Sequence, residues 1–347
     1  MPCFAVREMA AQDYSVACAL REEAGGVLLR DADAPEAIAT PAIGFRAAVL
    51  LFLCLLVLQS PLRGQTPIVR QLAPGVFYYW GDEVQQKSAN CVWVIFKDYV
   101  VAVDANYPWG AQEILAEIRK TTSKPIRFVL NTHYHDDHSM GNSVFVDAGA
   151  TIVSSVDTAR ELRAHGTSAW ERGRGPGGHS LQPFRPEYPS LLFDEKMIFD
   201  DGEHRVEFIK LGQAHTLGDS VAYLPKEKIV ATGDLFVTDN PWGNNVADPN
   251  ADYDKWLKVL DKLSSWDVNI VVPGHGEIGN TESVKLQRAF LADMLQQVRA
   301  GIRAGRTADQ LVKEVDLKKY KTYGSNTVSI ARSVRAMYRK LAGAGAQ

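Results

Sequence analysis

Three histidines and two aspartates occupy residues 133–138, although the chain of 347 residues has only eight histidines. Side chains two apart on an extended chain project to the same side, so His133 and His135 can reach one ion. Asp137 and His138 come after a turn and can face a second ion beside the first. Neutral imidazoles and carboxylates are the usual ligands of zinc-like metals. This spacing therefore predicts a metal site.

Further candidate ligands stand in three short polar segments, each directly after a β-rich run. They are His215 in "GQAHTLGD", Asp234 in "ATGDLF" and His275 in "VPGHGE". Loops at strand ends are where α/β folds collect the residues of their active sites. We therefore expect these side chains to converge on the cluster at residues 133–138.

The elements that must position these residues are strands alternating with amphipathic segments. Strands are predicted at "GVFYYW", "CVWVIF", "YVVAVD", "IRFVL" and "ATIVSS", and later at "HRVEFIKL", "SVAYLP", "KIVATGDLFV" and "VNIVVPG". Helices are predicted over residues 109–120, 156–164, 252–265, 281–304 and 325–342. Such alternation implies sheets covered by helices on their outer faces, an α/β architecture.

Four motifs, "THYHDDH", "AHTLGD", "TGD" and "PGHG", occur in this order between about residues 70 and 300. In this combination the chain resembles the metallo-β-lactamase fold superfamily of metal-dependent hydrolases. Each motif alone is a weak signal, whereas four in register are specific. The resemblance implies an αββα sandwich with a metal cleft between the edges of its two sheets.

The resemblance also implies a role for each candidate ligand. His133, His135 and His215 would hold one divalent metal, Asp137, His138 and His275 the other, and Asp234 would bridge them. Zinc suits these ligands best, and iron or manganese is also compatible. Two such ions lower the pKa of a shared water and polarise a scissile carbonyl, so the bound hydroxide is the expected nucleophile. Asp137 would orient that hydroxide and relay a proton.

The substrate class is less determined than the site. The common β-lactam-cleaving subclass has Cys at the position of Asp234, a basic residue at that of His138, and a following Lys that "GDLFVTDNP" lacks. These departures favour a hydrolase of ester, lactone, thioester or amide bonds. Alternatives are a β-lactamase, a mononuclear iron oxidoreductase of the persulfide dioxygenase type, and a non-catalytic metal-binding module. A serine or cysteine nucleophile is not expected, because "GxSxG" is absent and Cys91 stands in an apolar strand, where it is interpreted as a small core residue.

The N-terminal region predicts export. Arg46 precedes an unbroken apolar run over residues 47–58, which is short for a bilayer span but typical of a secretory signal; a buried core helix is the alternative. Residues 1–45 are acidic for a signal, so we expect the true start further in. We interpret residues 1–65 as a leader and 66–347 as one hydrolase domain with C-terminal helices. The mature form would be periplasmic or secreted without a stable membrane span, or membrane-anchored if uncleaved.

The composition and charge of the chain limit the classes of binding partner that can be expected. The net charge of −3 and pI near 6.3 leave no basic surplus for nucleic acid, so a small-molecule substrate is expected. Nothing in the sequence indicates an oligomeric state. With three of four cysteines in the leader, no internal disulfide is expected.

One long loop and several residues outside the motifs complete the predictions. Residues 166–190, rich in Gly, Pro and Arg, are predicted to form a loop that could act as a lid. Arg172, Arg174 and Arg185 in it are either an anion clamp or, more simply, solvated surface charge. Trp242 either lines the cleft mouth or anchors its loop. The histidines outside the motifs are expected in loops or on the surface: His165, His179 and His204.

Overall fold

The computed structural model describes residues 69–81, 89–165, 168–238, 246–320 and 327–344. The predicted leader with its apolar segment 47–58, Trp242, and the first two residues of the predicted loop lie outside the described residues. None of the helices in the described part combines the length and apolar composition that a membrane span requires.

One sheet is built from the first seven strands in chain order. They are β1 (Val69–Ala73), β2 (Val76–Tyr79), β3 (Cys91–Ile95), β4 (Val100–Val103), β5 (Ile126–Leu130), β6 (Thr151–Ser155) and β7 (Leu191–Phe193). Strands β1 to β4 pair antiparallel, and β4 to β7 pair parallel. The carboxyl ends of the parallel strands therefore share one edge of the sheet, which is where the motif at residues 133–138 begins.

The second sheet has five strands in the order β12, β11, β10, β9, β8. They are β8 (Lys196–Asp200), β9 (Arg205–Gly212), β10 (Asp219–Leu224), β11 (Ile229–Ala231) and β12 (Ile270–Val272). Neighbours pair antiparallel except β11 and β12, which are parallel. Residues after β11 and β12 consequently leave the sheet side by side.

The helices agree with the predicted segments to within two residues at most ends. They are α1 (Pro108–Thr121), α2 (Asp136–Ser139), α3 (Asn142–Asp147), α4 (Val156–His165), α5 (Ser168–Arg172), α6 (Tyr253–Ser264), α7 (Thr281–Arg303), α8 (Ala308–Glu314) and α9 (Thr327–Ala344). Four of these were not predicted: the short helices α2 and α3, α8, and α5 inside the segment expected to be a loop. The side chains of Thr307 and Gln310 form a capping box that starts α8.

Buried apolar side chains pack between the two sheets and between each sheet and its helices. In β3, Val92 and Val94 face the second sheet, whereas Trp93 packs toward α1 on the outer side. The outer face of the second sheet packs against α6, α7 and α9, with Trp256 at its centre. The order of layers is helix, sheet, sheet, helix, so the predicted αββα sandwich is confirmed. Cys91 is a buried core residue, as expected.

Candidate metal centre

The first part of the site follows the carboxyl end of β5. Residues 131–135 continue from the strand, and His135 stands at the start of helix α2 with extended backbone angles (φ −58°, ψ 151°). Helix α2 then carries Asp137 and His138 within its single turn. The change from extended to helical backbone is what separates the two pairs of predicted ligands.

The remaining candidates come from the second sheet. His215 lies in the turn between β9 and β10, Asp234 in a 3-10 turn that follows β11, and His275 in the turn that follows β12. Gly233 precedes Asp234 with φ +51°, and any Cβ there would collide with the Thr132 side chain. The glycine thus lets the turn carrying Asp234 approach the end of β5.

All seven predicted residues meet in two groups. Within each group, one ligand atom per residue lies within 4.8 Å of all the others. The first group is His133, His135, His215 and Asp234, and the second is Asp137, His138 and His275.

Asp234 joins the two groups. Its Oδ1 lies 3.2 Å from His138 Nε2 and 3.3 Å from His275 Nε2. Its Oδ2 lies 3.7 Å from His215 Nε2. One carboxylate oxygen therefore faces each group, which is the arrangement a bridging ligand needs.

The histidine nitrogens converge within each group. His135 Nδ1 is 3.1 Å from His215 Nε2, and His138 Nε2 is 3.4 Å from His275 Nε2. His275 Nε2 is also 3.2 Å from Asp137 Oδ2. Ring nitrogens so placed can all direct lone pairs at a shared cation.

The opposite ring nitrogens are held by carboxylates that sequence reasoning did not identify. Asp104 Oδ2 lies 2.8 Å from His138 Nδ1, and Asp248 Oδ2 lies 3.0 Å from His135 Nε2. A proton on each outer nitrogen leaves the inner nitrogen as a lone pair, which is how metal-binding histidines are usually oriented. Both carboxylates are therefore positioning groups for the ligands.

Asp104 is fixed by its surroundings. It follows β4, adopts a positive φ of 64° and is 3% exposed. The backbone N–H of Thr132 donates to its Oδ1 (2.8 Å), and the Thr132 hydroxyl donates to its Oδ2 (2.9 Å). A non-glycine residue holds such a backbone conformation only where surrounding contacts determine it, often at functional sites. Its position at the end of the strand "YVVAVD" was the available sequence signal.

The residues present fit a pair of divalent cations. His133 Nε2 is buried and has no hydrogen-bond partner in the described part of the chain, a rare and costly state for a polar atom. Burial and the neighbouring imidazoles of His138 and His135 lower the pKa of His133 well below its ordinary value, so this ring is neutral. A neutral imidazole with an inward lone pair is the form that binds metal.

The carboxylates around the second ligand group also favour a bound cation. Burial lowers the pKa of His138, but the carboxylates of Asp104, Asp234 and Asp137 outweigh it and raise that pKa to about 10. Without metal, the ring is therefore protonated and compensates these carboxylates. A divalent cation would take over that compensation.

The comparisons with known proteins agree with this geometry. Residues 85–275 match the family model described as "Metallo-beta-lactamase superfamily", over more than half of the chain. The chain belongs to the metallo-beta-lactamase superfamily.

Curated relatives in this superfamily differ in their activities. A linear primary-alkylsulfatase of Pseudomonas sp. (strain ATCC 19151) is 24% identical over 247 residues, which are 60% of this chain and 46% of that protein. The metallo-beta-lactamase IND-1 of Chryseobacterium indologenes is 25% identical over 202 residues, covering 56% of this chain and 74% of the relative. The chain thus spans about half the length of the alkylsulfatase.

Solved structures show the same fold. The sec-alkylsulfatase Pisa1 from Pseudomonas sp. superposes with a TM-score of 0.62 at 17% identity, covering 78% of this chain and 50% of that one. A metallo-beta-lactamase from Pontibacter korlensis superposes with a TM-score of 0.54 at 22% identity, covering 65% and 98%. Both likenesses concern the fold of the superfamily.

The loop predictions have mixed outcomes. In the described part of the loop, Arg185 forms surface ion pairs with Asp147 and Glu187, in keeping with solvated surface charge. His204 lies in the loop between β8 and β9, in keeping with the expected loop position, although it is not on the surface. This ring is buried, and its Nδ1 lies 2.8 Å from Glu227 Oε1. The partner that satisfies it is 23 residues away in sequence.

Each outer carboxylate is expected to support its own metal position in this superfamily member. Asp104→Asn should weaken the metal held by His138 by about 10- to 100-fold, while leaving the first group's affinity largely unchanged. Asp248→Asn should weaken the metal held by His135 to a similar extent and leave the affinity of the second group largely unchanged. Calorimetric titration of the metal-free protein with zinc measures both steps. Equal weakening of both steps by either variant would contradict separate support.

A buried carboxyl lies behind the first group. Glu161 is 3% exposed and accepts hydrogen bonds from the Leu217 backbone N–H (3.2 Å) and Asn250 Nδ2 (2.9 Å). Burial raises its pKa from 4.5 to about 7 despite these donors. The folded protein therefore keeps a proton that the unfolded chain has released, and stability is lost as the pH rises from about 4.5 to about 7.

Removing this carboxyl should flatten that part of the pH dependence. We compare the free energies of unfolding of the metal-free wild type and of Glu161→Gln. The wild-type value minus the variant value is expected to decrease by about 2 kcal/mol as the pH rises from about 5 to about 8. Urea unfolding across this range provides the measurement. Glu171→Gln, at an exposed position, is the matched control and should track the wild type; a Glu161→Gln difference independent of pH would refute the assignment.

Proposed function

We propose that this protein is an exported dinuclear-metal hydrolase that cleaves an ester, lactone, thioester or amide bond. The observation that carries the proposal is the pair of ligand groups joined by Asp234. Two cations at these positions would make water nucleophilic at neutral pH and polarise the scissile bond. His133, His135, His215 and Asp234 would hold one of them, and Asp137, His138, His275 and Asp234 the other.

Asp137 is placed to handle the proton that water loses. Burial raises its pKa, but His138 and His275 outweigh this effect and lower the pKa below its ordinary value. The carboxylate is therefore ionised at neutral pH and able to accept a proton. Its side chain is 18% exposed, against 0% for His138, so water can reach this carboxylate.

Neither Cys91 nor Ser139 is placed to compete with water as the nucleophile. Burial raises the pKa of the Cys91 thiol, which lies in the core of the first sheet. The Ser139 hydroxyl donates to the carbonyl oxygen of His135 (2.9 Å) and is occupied in helix α2. This favours direct attack by water over a covalent intermediate.

Two relatives guide the choice of substrates. The likeness to an alkylsulfatase supports alkyl sulfates as the first esters to test. The likeness to IND-1 keeps β-lactams as an alternative, although Asp234 stands where the resemblance places Cys in that subclass. An iron-dependent oxidation of persulfides is the second alternative.

The full chain, loaded separately with zinc, iron or manganese, should be screened against carboxylic esters, lactones, thioesters, alkyl sulfates and β-lactams. We expect two equivalents of metal per chain and hydrolysis of at least one ester-type class without oxygen consumption. Hydrolysis confined to β-lactams would favour the first alternative. Turnover that consumes oxygen with one iron would favour the second, and metal binding without turnover would leave a non-catalytic module.

Export is the second part of the proposal and rests on the apolar segment 47–58. Fractionation of cells that express the full gene should place the mature protein in the periplasm or the medium, with an N-terminus near residue 66. An intact leader in the membrane fraction would indicate an uncleaved anchor. Full-length protein in the cytoplasm would contradict export.

A further inference from the structure

A cavity of about 280 Å³ lies between helix α9 and the chain that leads into α6. Asp248, Pro249 and Tyr253 line one side, and Ala336, Arg339 and Lys340 of α9 line the other. Helix α9 lies beyond residues 85–275, which match the superfamily model. The cavity is therefore partly built from a segment outside the matched region.

Two cations face this cavity without a carboxylate partner. Among the described residues, neither Arg339 nor Lys340 has an acidic group within ion-pair distance. Two other arginines of the helical layer do have one: Arg335 pairs with Asp309, and Arg299 with Asp254. Asp248 and Asp252 lie near enough to act on the Lys340 charge without forming an ion pair with it. Two cations side by side at one cavity attract an anion.

Lys340 is held at the cavity wall. Its Nζ donates to the carbonyl oxygen of Pro249 (2.8 Å) and lies 5.8 Å from the centre of the Tyr253 ring. One contact to a neutral oxygen leaves two of the three ammonium donors available. The guanidinium of Arg339 adds a fork of donors suited to the oxygens of sulfate, phosphate or carboxylate.

The wall residue Asp248 links the cavity to the metal centre. Its carboxylate accepts hydrogen bonds from the Tyr134 hydroxyl (2.6 Å) and the Asn250 backbone N–H (2.7 Å) and contacts His135 Nε2 (3.0 Å). These three partners stabilise the carboxylate in its charged form, and the side chain is 0% exposed. The cavity is thus separated from a candidate metal ligand by a single side chain.

We propose that this cavity binds an oxyanion group, through Arg339 and Lys340, next to the metal centre. If the proposed hydrolase function holds, the group is the charged end of an anionic substrate. A free inorganic oxyanion is the other source of the same chemistry.

Calorimetric titration of the metal-loaded full chain with sodium sulfate, in a chloride-free buffer of low ionic strength, tests the site without turnover. Arg339→Gln and Lys340→Gln should each raise the Kd for sulfate about tenfold, the size expected for a lost charge-assisted hydrogen bond. Arg339→Lys keeps the charge and should recover part of the affinity. Sulfate bound only at the metals would be insensitive to all three substitutions, which would overturn the proposal.

Arg332→Gln is the matched control. Arg332 is exposed, lies seven residues before Arg339 on the same face of α9, and does not line the cavity. The Arg332→Gln variant should bind sulfate with the affinity of the wild type. If it lost as much affinity as Arg339→Gln, the loss would be an effect of general surface charge, and the proposed site would be contradicted.

Kinetics then distinguish the two sources of the anion. For a substrate's own charged end, Arg339→Gln raises KM about tenfold for an anionic ester but not for a neutral one, and sulfate inhibits competitively. For a free oxyanion, sulfate changes kcat without competing. Because sulfate binding is measured without turnover, failure of the hydrolase proposal would leave the binding result intact.

Discussion

His135→Ala is expected to reduce hydrolysis by about 10³-fold or more. The substitution removes Nδ1 from the first ligand group and leaves the buried Asp248 without the ring nitrogen that lies 3.0 Å from it. Metal-centred charge stabilisation supplies several kcal/mol of the barrier reduction, and about 4 kcal/mol corresponds to three orders of magnitude. The effect should appear in kcat/KM for whichever substrate the screen identifies, together with loss of one equivalent of metal.

The fold should survive this change. The His135 side chain is 26% exposed, so its removal leaves only a partly solvated gap. Far-UV circular dichroism should therefore match the wild type. His165→Ala is the matched control: His165 is exposed at the end of α4 and stands outside both ligand groups. Full activity in His135→Ala would refute the ligand assignment, and an equal loss in His165→Ala would show that the assay reports on something else.

Thorough chelation is expected to abolish hydrolysis and to lower the stability of the domain. Removing the cations leaves the Asp137 and Asp234 carboxylates close together at the cluster, compensated only by protonated histidines. A ligand present at about 1,000 times its Kd stabilises the folded state by about 4 kcal/mol. For a domain of this size, we expect the Tm to fall by about 10 °C on chelation, measured by differential scanning calorimetry.

Reconstitution separates metal loss from irreversible damage. Two equivalents of zinc should restore both activity and Tm. Magnesium should restore neither to the same extent, because it prefers oxygen ligands and this site presents five imidazoles. Activity that persists after the metal content has been shown to be negligible would contradict the metal mechanism.

The sequence by itself determined the seven residues that meet at the centre. Side chains at positions i and i+2 share a side of an extended chain, so the spacing of His133 and His135 carries its own geometry. Likewise, the order of β-rich runs places the residues that follow them at shared sheet edges, which brings His215, Asp234 and His275 within reach. These inferences need only local backbone geometry and the layering of an α/β fold.

Only the tertiary structure decided what surrounds those ligands. Asp104 contacts a ring 34 positions away, and Asp248 one 113 positions away. The buried pair of His204 and Glu227 and the cavity under Arg339 likewise join segments that no local pattern connects. The local sequence around a single Asp, His or Arg does not show whether its side chain is solvated or paired. The partner is determined by how distant elements pack, and not by the neighbours in the chain.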